Sequence, residues 1–182
     1  MEETKAIIEA IIFASESPIT IDKIREVLNE VDRSEICRLV QDLINEYEGR
    51  RGGFLLQEVA GGLHFRTRSD LSFWIGKLMK TKQSMLTNAA METLAVVAYK
   101  QPVVKSEIDR IRGVDVGSSL KGLLEKKLVR IMGRKDVPGK PIMYGTTKKF
   151  LEIFSLKDLS ELPTLKELKD LQDGIEASDT ES

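Results

Sequence analysis

A single histidine, a single cysteine and the lack of any long apolar run are what this chain of 182 residues shows first. One cysteine, Cys37, cannot close an internal disulfide, which suits a reducing compartment. With His64 the only histidine, one subunit cannot assemble a His/Cys zinc site from the usual four ligands. Cys37 falls early in a predicted helix with no histidine near it in sequence. It is therefore expected to pack as a small residue, because a thiol nucleophile needs a base beside it. His64 alternates outward on a predicted strand and reads as a surface or interface residue. No stretch approaches the roughly 20 apolar residues of a membrane span, and the acidic opening Met1-Glu2-Glu3 does not read as a secretory signal. These absences argue for a cytoplasmic protein without cofactor, metal or catalytic constellation.

One glycine-rich stretch invites a nucleotide reading and fails it. Gly133 and Gly139-Lys140 are separated by five residues, not the four of a phosphate-binding loop, and Pro141 stands where a hydroxyl is needed. The stretch also precedes a predicted strand, so it offers a phosphate no helix N-terminus.

What the chain does have is segregated charge beneath a net charge of −1. Residues 1–76 hold 9 basic and 14 acidic side chains, residues 77–149 hold 16 and 6, and residues 150–182 hold 3 and 9. A strongly basic middle segment points to an acidic or polyanionic partner. The acidic tail could equally screen that segment within the same molecule.

Hydrophobic spacing organises the chain into two similar units. In the first, a helix over Thr4–Ser15 carries Ile8, Ile11 and Ile12 on one face and is broken by Ser17-Pro18. Thr20 caps a short helix expected to bury Ile24, Val27 and Leu28. Asp32, with Glu35 three residues on, resembles a capping box for a third helix, whose apolar positions run from Ile36 to Tyr47 and whose natural stop is Gly49. A hairpin follows, with Phe54–Val59 and Leu63–Thr67 flanking Ala60-Gly61-Gly62. A further helix over Asp70–Met79 carries Leu71, Trp74, Ile75 and Leu78.

The second unit repeats the order. Thr87 caps a helix to Lys100, expected to bury Met91, Leu94, Ala95 and Ala98 and broken by Gln101-Pro102. Ser106 with Asp109 opens a short helix using Ile108 and Ile111, and Ser118 or Ser119 opens a third. Strands Val129–Met132 and Ile142–Gly145 close on the turn Pro138-Gly139. Phe13–Pro18 aligns with Val97–Pro102 and Ile21–Arg25 with Ile108–Arg112, as an internal duplication would. Three helices and a two-stranded wing, twice over, predict two tandem winged-helix domains, mainly α with small β wings (α+β). The expected divisions are 1–79, a linker at 80–85, 86–155, and an extension 156–182 with a disordered acidic end.

In a winged helix the third helix and the wing usually meet DNA. Between Val116 and Lys127, however, there is no Asn, Gln or Arg to read a base edge. Nine basic residues from Lys121 to Lys149 could still supply phosphate contacts of no sequence preference. A tandem winged-helix transcription regulator is the alternative reading, weakened by that third helix.

Several runs resemble one family. They are Leu86–Pro102 with Ala98-Tyr99-Lys100-Gln101-Pro102, Ile108–Val114, Gly133–Pro141, and Tyr144-Gly145-Thr146-Thr147 followed by Phe150-Leu151. Leu156-Lys157-Asp158-Leu159 leading to Leu162-Pro163 adds to them, as do Glu9–Ser15 and Gly62–Phe65 in the first unit. Over residues 5–165 the chain resembles segregation and condensation protein B, an accessory subunit of the bacterial SMC condensin complex. The resemblance implies a nucleoid-associated homodimer, joined through its N-terminal winged helices and free of catalysis. It implies binding to the kleisin, segregation and condensation protein A, and through it to the SMC ATPase. It also implies glycine near Lys127 and at Ser155, which this chain lacks.

Two sets of residues follow as expectations. Phe54, Leu56, Leu63, Phe65 and Trp74 are the expected dimer surface, since a thin-cored domain gains by burying an apolar wing face against a second copy. Tyr99, Arg112, Arg134, Lys135, Lys140 and Tyr144 are the expected kleisin contacts, with non-specific DNA contact a lesser role of the same basic face.

Overall fold

The computed structural model describes residues 2–79, 86–164 and 167. The expected linker at 80–85 and the expected disordered end at 172–182 lie outside the described residues.

The first unit is built from α1 (Glu2–Ala14), α2 (Ile21–Leu28), α3 (Arg33–Gly49), the strands β1 (Phe54–Val59) and β2 (Gly62–Thr67), and α4 (Ser72–Met79). Thr20 caps α2 as expected, its hydroxyl accepting from the Lys23 N–H at 3.2 Å. The core gathers Ile8 and Ile12 of α1, Ile24 of α2, five α3 residues from Ile36 to Tyr47, and Leu56 and Leu63 of the wing. Two expectations are corrected and a third holds. Val27 is exposed, because α2 turns only Ile24 fully inward. Asp32 precedes α3 without making a side-chain cap. α3 does end at Gly49, but the residue with positive φ is Arg51, at 48°.

β1 and β2 pair antiparallel with Leu56 opposite Phe65 and Glu58 opposite Leu63. The turn is two residues, Ala60 (φ 52°) and Gly61 (φ 72°), the positive pair that matches the twist of a hairpin. Gly62 belongs to the strand. Ile19 bridges Leu63 through hydrogen bonds of 3.0 and 2.8 Å, giving the wing a one-residue third edge.

The second unit comprises α5 (Asn88–Lys100), β3 (Val103–Val104), α6 (Lys105–Arg112), α7 (Gly117–Glu125), β4 (Val129–Arg134), β5 (Ile142–Thr146) and α8 (Lys148–Ile153). Its sheet runs β3-β5-β4, with a bulge between Ile131 and Gly133. Thr87 caps α5, accepting from the Ala90 N–H at 3.2 Å. α5 buries Thr93, Leu94, Val97 and Ala98, whereas Met91 and Ala95, expected inside, are exposed. Thr93 tolerates burial because its hydroxyl donates to the Ala89 carbonyl at 2.7 Å. α6 begins at Lys105 and not at Ser106, and its Ile111 is exposed. α7 begins at Gly117 without a serine cap.

The duplication survives in three dimensions. Ile24 and Ile108 are each the fourth residue of their helix, α2 and α6, and both are fully buried, which corrects the expected register of Ile21–Arg25 on Ile108–Arg112 by three residues. Pro18 and Pro102 each end a helical run, and the next residue, Ile19 or Val103, joins a strand.

After α8 the chain becomes a strap. Leu156 and Leu162 pack against the second core, and Leu159–Glu161 form a short 3₁₀ turn. The strap also reaches the first unit, where Ala60 and Gly61 donate their N–H groups to the carbonyls of Leu156 (2.8 Å) and Lys157 (2.9 Å). Lys157 pairs with Glu58 at 2.7 Å, and the Arg66 guanidinium donates to the Glu152 carbonyl at 2.6 Å. These contacts tie the first wing to the end of the second unit.

Candidate partner surfaces

The expected dimer residues divide sharply. Leu56 and Leu63 are 1% and 3% exposed and belong to the first unit's own core, because that face of the hairpin lies on α3. They offer nothing to a second copy unless the unit opens. Phe65 is half-buried and meets Tyr47 edge-on at 4.8 Å, and Phe54 leans on both rings. Arg50 stacks over Tyr47 at 4.6 Å. Of the set, Phe54 is partly open and Trp74 is widely so.

Trp74 sits on α4, which buries none of its residues. Phe73, Trp74, Leu78 and Met79 are 62%, 64%, 80% and 67% exposed. Phe73 and Trp74 stack edge-on at 5.3 Å, with Lys77 over both rings. Four large apolar side chains left open on one short helix are more than scattered surface residues explain. The sequence signal for Phe73, Leu78 and Met79 is a helix apolar on nearly every side, of which the expected dimer surface takes in only Trp74.

The expected kleisin residues do not converge on one open surface. Arg112 is turned inward, 16% exposed, and its guanidinium pairs with Glu92 of α5. Tyr99 donates its hydroxyl to the Pro163 carbonyl at 2.7 Å and so fastens the strap. Tyr144 is half-buried on the central strand, between Val103 and Ile131. Arg134, Lys135 and Lys140 do lie together at the second wing. There Arg134 donates to the Lys140 carbonyl at 3.1 Å and closes the loop. Lys135 reaches Glu107 of α6 at 2.8 Å. That hydrogen bond, more than the Val104 N–H beside it, holds the Glu107 carboxyl below its ordinary pKa.

A second charged brace lies behind the wing. Lys105 pairs with Asp109 at 2.8 Å and with Asp115, and the Asp109 carboxylate accepts the Val116 N–H at 2.9 Å. Asp109 is held below its ordinary carboxylate pKa first by Lys105 and then by that backbone bond, and Lys105 is raised in return. These groups are solvent-facing, so each pair adds little to stability. Their effect is to set where the α6–α7 turn and the wing stand. Cys37, expected to pack, is exposed. Among the described residues no group of three or more His, Cys, Asp or Glu is placed to hold a metal, and no helix is long and apolar enough to cross a membrane.

Two winged-helix units in tandem, a helix with an exposed apolar face on the first and a braced basic wing on the second define a winged-helix protein built around surfaces. A sequence profile of the family described as segregation and condensation complex subunit ScpB matches residues 6–165, and the chain belongs to that family. It is 45% identical over 169 residues to segregation and condensation protein B of Syntrophotalea carbinolica, covering 93% of this chain and 85% of that one. Among solved structures, ScpB from Mycobacterium tuberculosis is 31% identical, with a TM-score of 0.41 over 85% of this chain and 96% of that one. A third relative is described as a dimer of the ScpB N-terminal domain complexed with ScpA peptide. It is 27% identical, with a TM-score of 0.39 over 42% of this chain and 95% of that one.

Proposed function

We propose that this chain is a non-catalytic subunit of the SMC–kleisin complex of chromosome condensation and segregation, acting as a homodimer in the cytoplasm on the nucleoid. The observation that carries the reading is the family match, which runs through both units and the strap. Dimerisation uses the exposed face of α4, centred on Trp74 and Phe73, together with the partly open Phe54. A hydrophobic anchor of this kind is where binding energy concentrates in an interface.

The second unit binds the kleisin through the basic wing, with Arg134, Lys135 and Lys140 as the contacts. Tyr99, Arg112 and Tyr144 support that surface from behind, by fastening the strap, α5 and the central strand. By holding the kleisin, the dimer modulates how the kleisin bridges the SMC heads. Non-specific contact with DNA is a lesser role of the same basic face.

The test is co-purification with the kleisin and SMC protein of the same cell, followed by light scattering of the assembly. Recovery of a kleisin with two copies of this chain is the expected result. Arg134→Glu with Lys140→Glu should weaken kleisin pull-down and leave the dimer intact. Unchanged kleisin binding by that double variant removes the second-wing assignment and turns attention to the first unit. No kleisin, together with sequence-selective DNA binding, would favour the transcription-regulator reading.

A further inference from the structure

A groove of about 490 Å³ opens on the second unit where the α5–β3 corner, the wing and α8 meet. Pro102, Met132, Leu151 and Leu159 give it an apolar trough, Arg130 and Lys148 stand on its lining, and among the described residues no carboxylate lines it. Gln101 makes the trough rigid. Its side chain accepts the Thr146 N–H at 2.8 Å and donates to the Thr146 hydroxyl at 3.0 Å and the Ala98 carbonyl at 3.1 Å. Arg130 is oriented across the sheet by its own bond to the Thr146 carbonyl, at 3.2 Å. An apolar trough with two exposed cations fits an acidic segment that also carries aliphatic side chains. A nucleic-acid backbone could satisfy the cations but would leave the trough facing charged phosphates.

The chain itself holds a segment of that chemistry. Residues 170–182 carry five acidic side chains and no basic one, with Leu171 and Ile175 four apart. The groove already includes Leu159 of the strap, and Tyr99 holds Pro163 nearby. Leu159 and Thr164 are five residues apart, so at most about 17 Å of chain separates them, and the six residues from Thr164 to Asp170 reach about 20 Å. A segment tethered at that range meets the groove at an effective concentration on the order of millimolar. Weak contacts then suffice to fill it.

We propose that residues 170–182 occupy this groove within the same molecule, their carboxylates on Arg130 and Lys148 and Leu171 or Ile175 over the trough. Any acidic partner of this face must displace them first. The inference does not depend on the kleisin being that partner.

The experiment uses the full chain, ¹⁵N-labelled, with Cys37→Ser and a nitroxide attached at Ser178→Cys; Cys37 is exposed and must be removed from the labelling chemistry. At low salt the amide signals of Arg130, Met132 and Lys148 should lose intensity, while signals from the first unit's α3 do not. Raising salt to about 0.5 M, where screening shortens to a few ångströms, should restore them. Lys148→Glu should restore them as well, and Arg130→Glu gives a second variant should one of the two perturb the fold. Undiminished groove signals, or losses spread evenly over the surface, overturn the proposal. So does a loss of similar size when spin-labelled ¹⁴N chain is mixed with ¹⁵N chain lacking the nitroxide, because the segment would then sit on a second copy.

Discussion

The Ala60 N–H donates to the Leu156 carbonyl at 2.8 Å, which fixes the tip of the first wing to the strap leaving the second unit. The Lys157–Glu58 pair adds to that tie, and on its other side the strap is fastened to the second unit by the Tyr99 hydroxyl on Pro163. Tyr99→Phe removes one such tie and is expected to release about 1 kcal/mol of local stabilisation. Amide exchange at Ala60 and Gly61 should then quicken roughly fivefold, while α3 core amides keep their rates. Equal protection in the variant and the parent would show that the strap does not depend on this hydroxyl.

α4 has no buried residue, so the fold does not depend on its apolar face. Trp74→Ala with Leu78→Ser should therefore leave far-UV dichroism unchanged and raise the dimer dissociation constant by about 30-fold or more, as loss of a central aromatic anchor does. Sedimentation equilibrium measures it. A parent chain that is monomeric at micromolar concentration removes the assignment outright.

Much of the fold was legible because its signals are local. The α3 apolar period, the Thr20 and Thr87 caps and the breaks at Pro18 and Pro102 all stand where expected. β3 is not legible in the sequence because two residues, Val103 and Val104, make no pattern of their own and become a strand only by pairing with Tyr144 and Met143. The candidate site was less legible for the same reason. Arg112 and Tyr99 look like free polar side chains in sequence, but their partners are Glu92 and Pro163, which tertiary folding brings near. Leu56 and Leu63 were correctly placed on one apolar face; which body covers that face is decided by α3, not by the strand's alternation.

Lys127 and Ser155 adopt φ of 58° and 56°, the left-handed region in which the expected glycines would sit without strain. Each follows a helix end, Lys127 closing α7 through its N–H to the Leu124 carbonyl at 2.9 Å. A non-glycine residue there costs about 1 kcal/mol, part of which is returned by a less flexible unfolded chain. Lys127→Gly is expected to stabilise by about 0.5 kcal/mol, read as a small rise in urea midpoint at constant slope. Lys127→Ala should not reproduce the gain, since alanine keeps the Cβ; an equal gain would point to relief of charge.

Asp109 has a folded-state pKa below its ordinary 3.8, through Lys105 first and the Val116 N–H second. A depressed carboxyl contributes stability that is fully present above its unfolded pKa and is lost as pH falls through its folded one. Its contribution should thus begin to fade as pH drops below the ordinary aspartate value. Asp109→Asn removes that titration and should make the acid limb of the melting-temperature profile shallower than the parent's. Parallel acid limbs would mean that Asp109 does not couple to folding.

Gly61 and Gly62 are adjacent, yet the two resist alanine for different reasons. Gly61 has φ of 72° with nothing within 4 Å of where an alanine methyl would stand, so Gly61→Ala meets only the left-handed penalty, about 1 kcal/mol. Gly62 has ordinary extended backbone, but a Cβ there would lie 2.8 Å from the Pro18 carbonyl carbon and 3.0 Å from the Ile19 backbone. Those atoms cannot swing aside, because Ile19 is bonded to Leu63 on both sides. Gly62→Ala must push the bridge apart, and overpacking of that kind costs about 1–3 kcal/mol. Chemical denaturation should rank the variants parent, Gly61→Ala, Gly62→Ala in falling stability, with amide exchange at Leu63 and Ile19 rising only in the last. The reverse order would mean that the Pro18–Ile19 segment is free to yield and that the bridge does not hold the wing against α1 and α3.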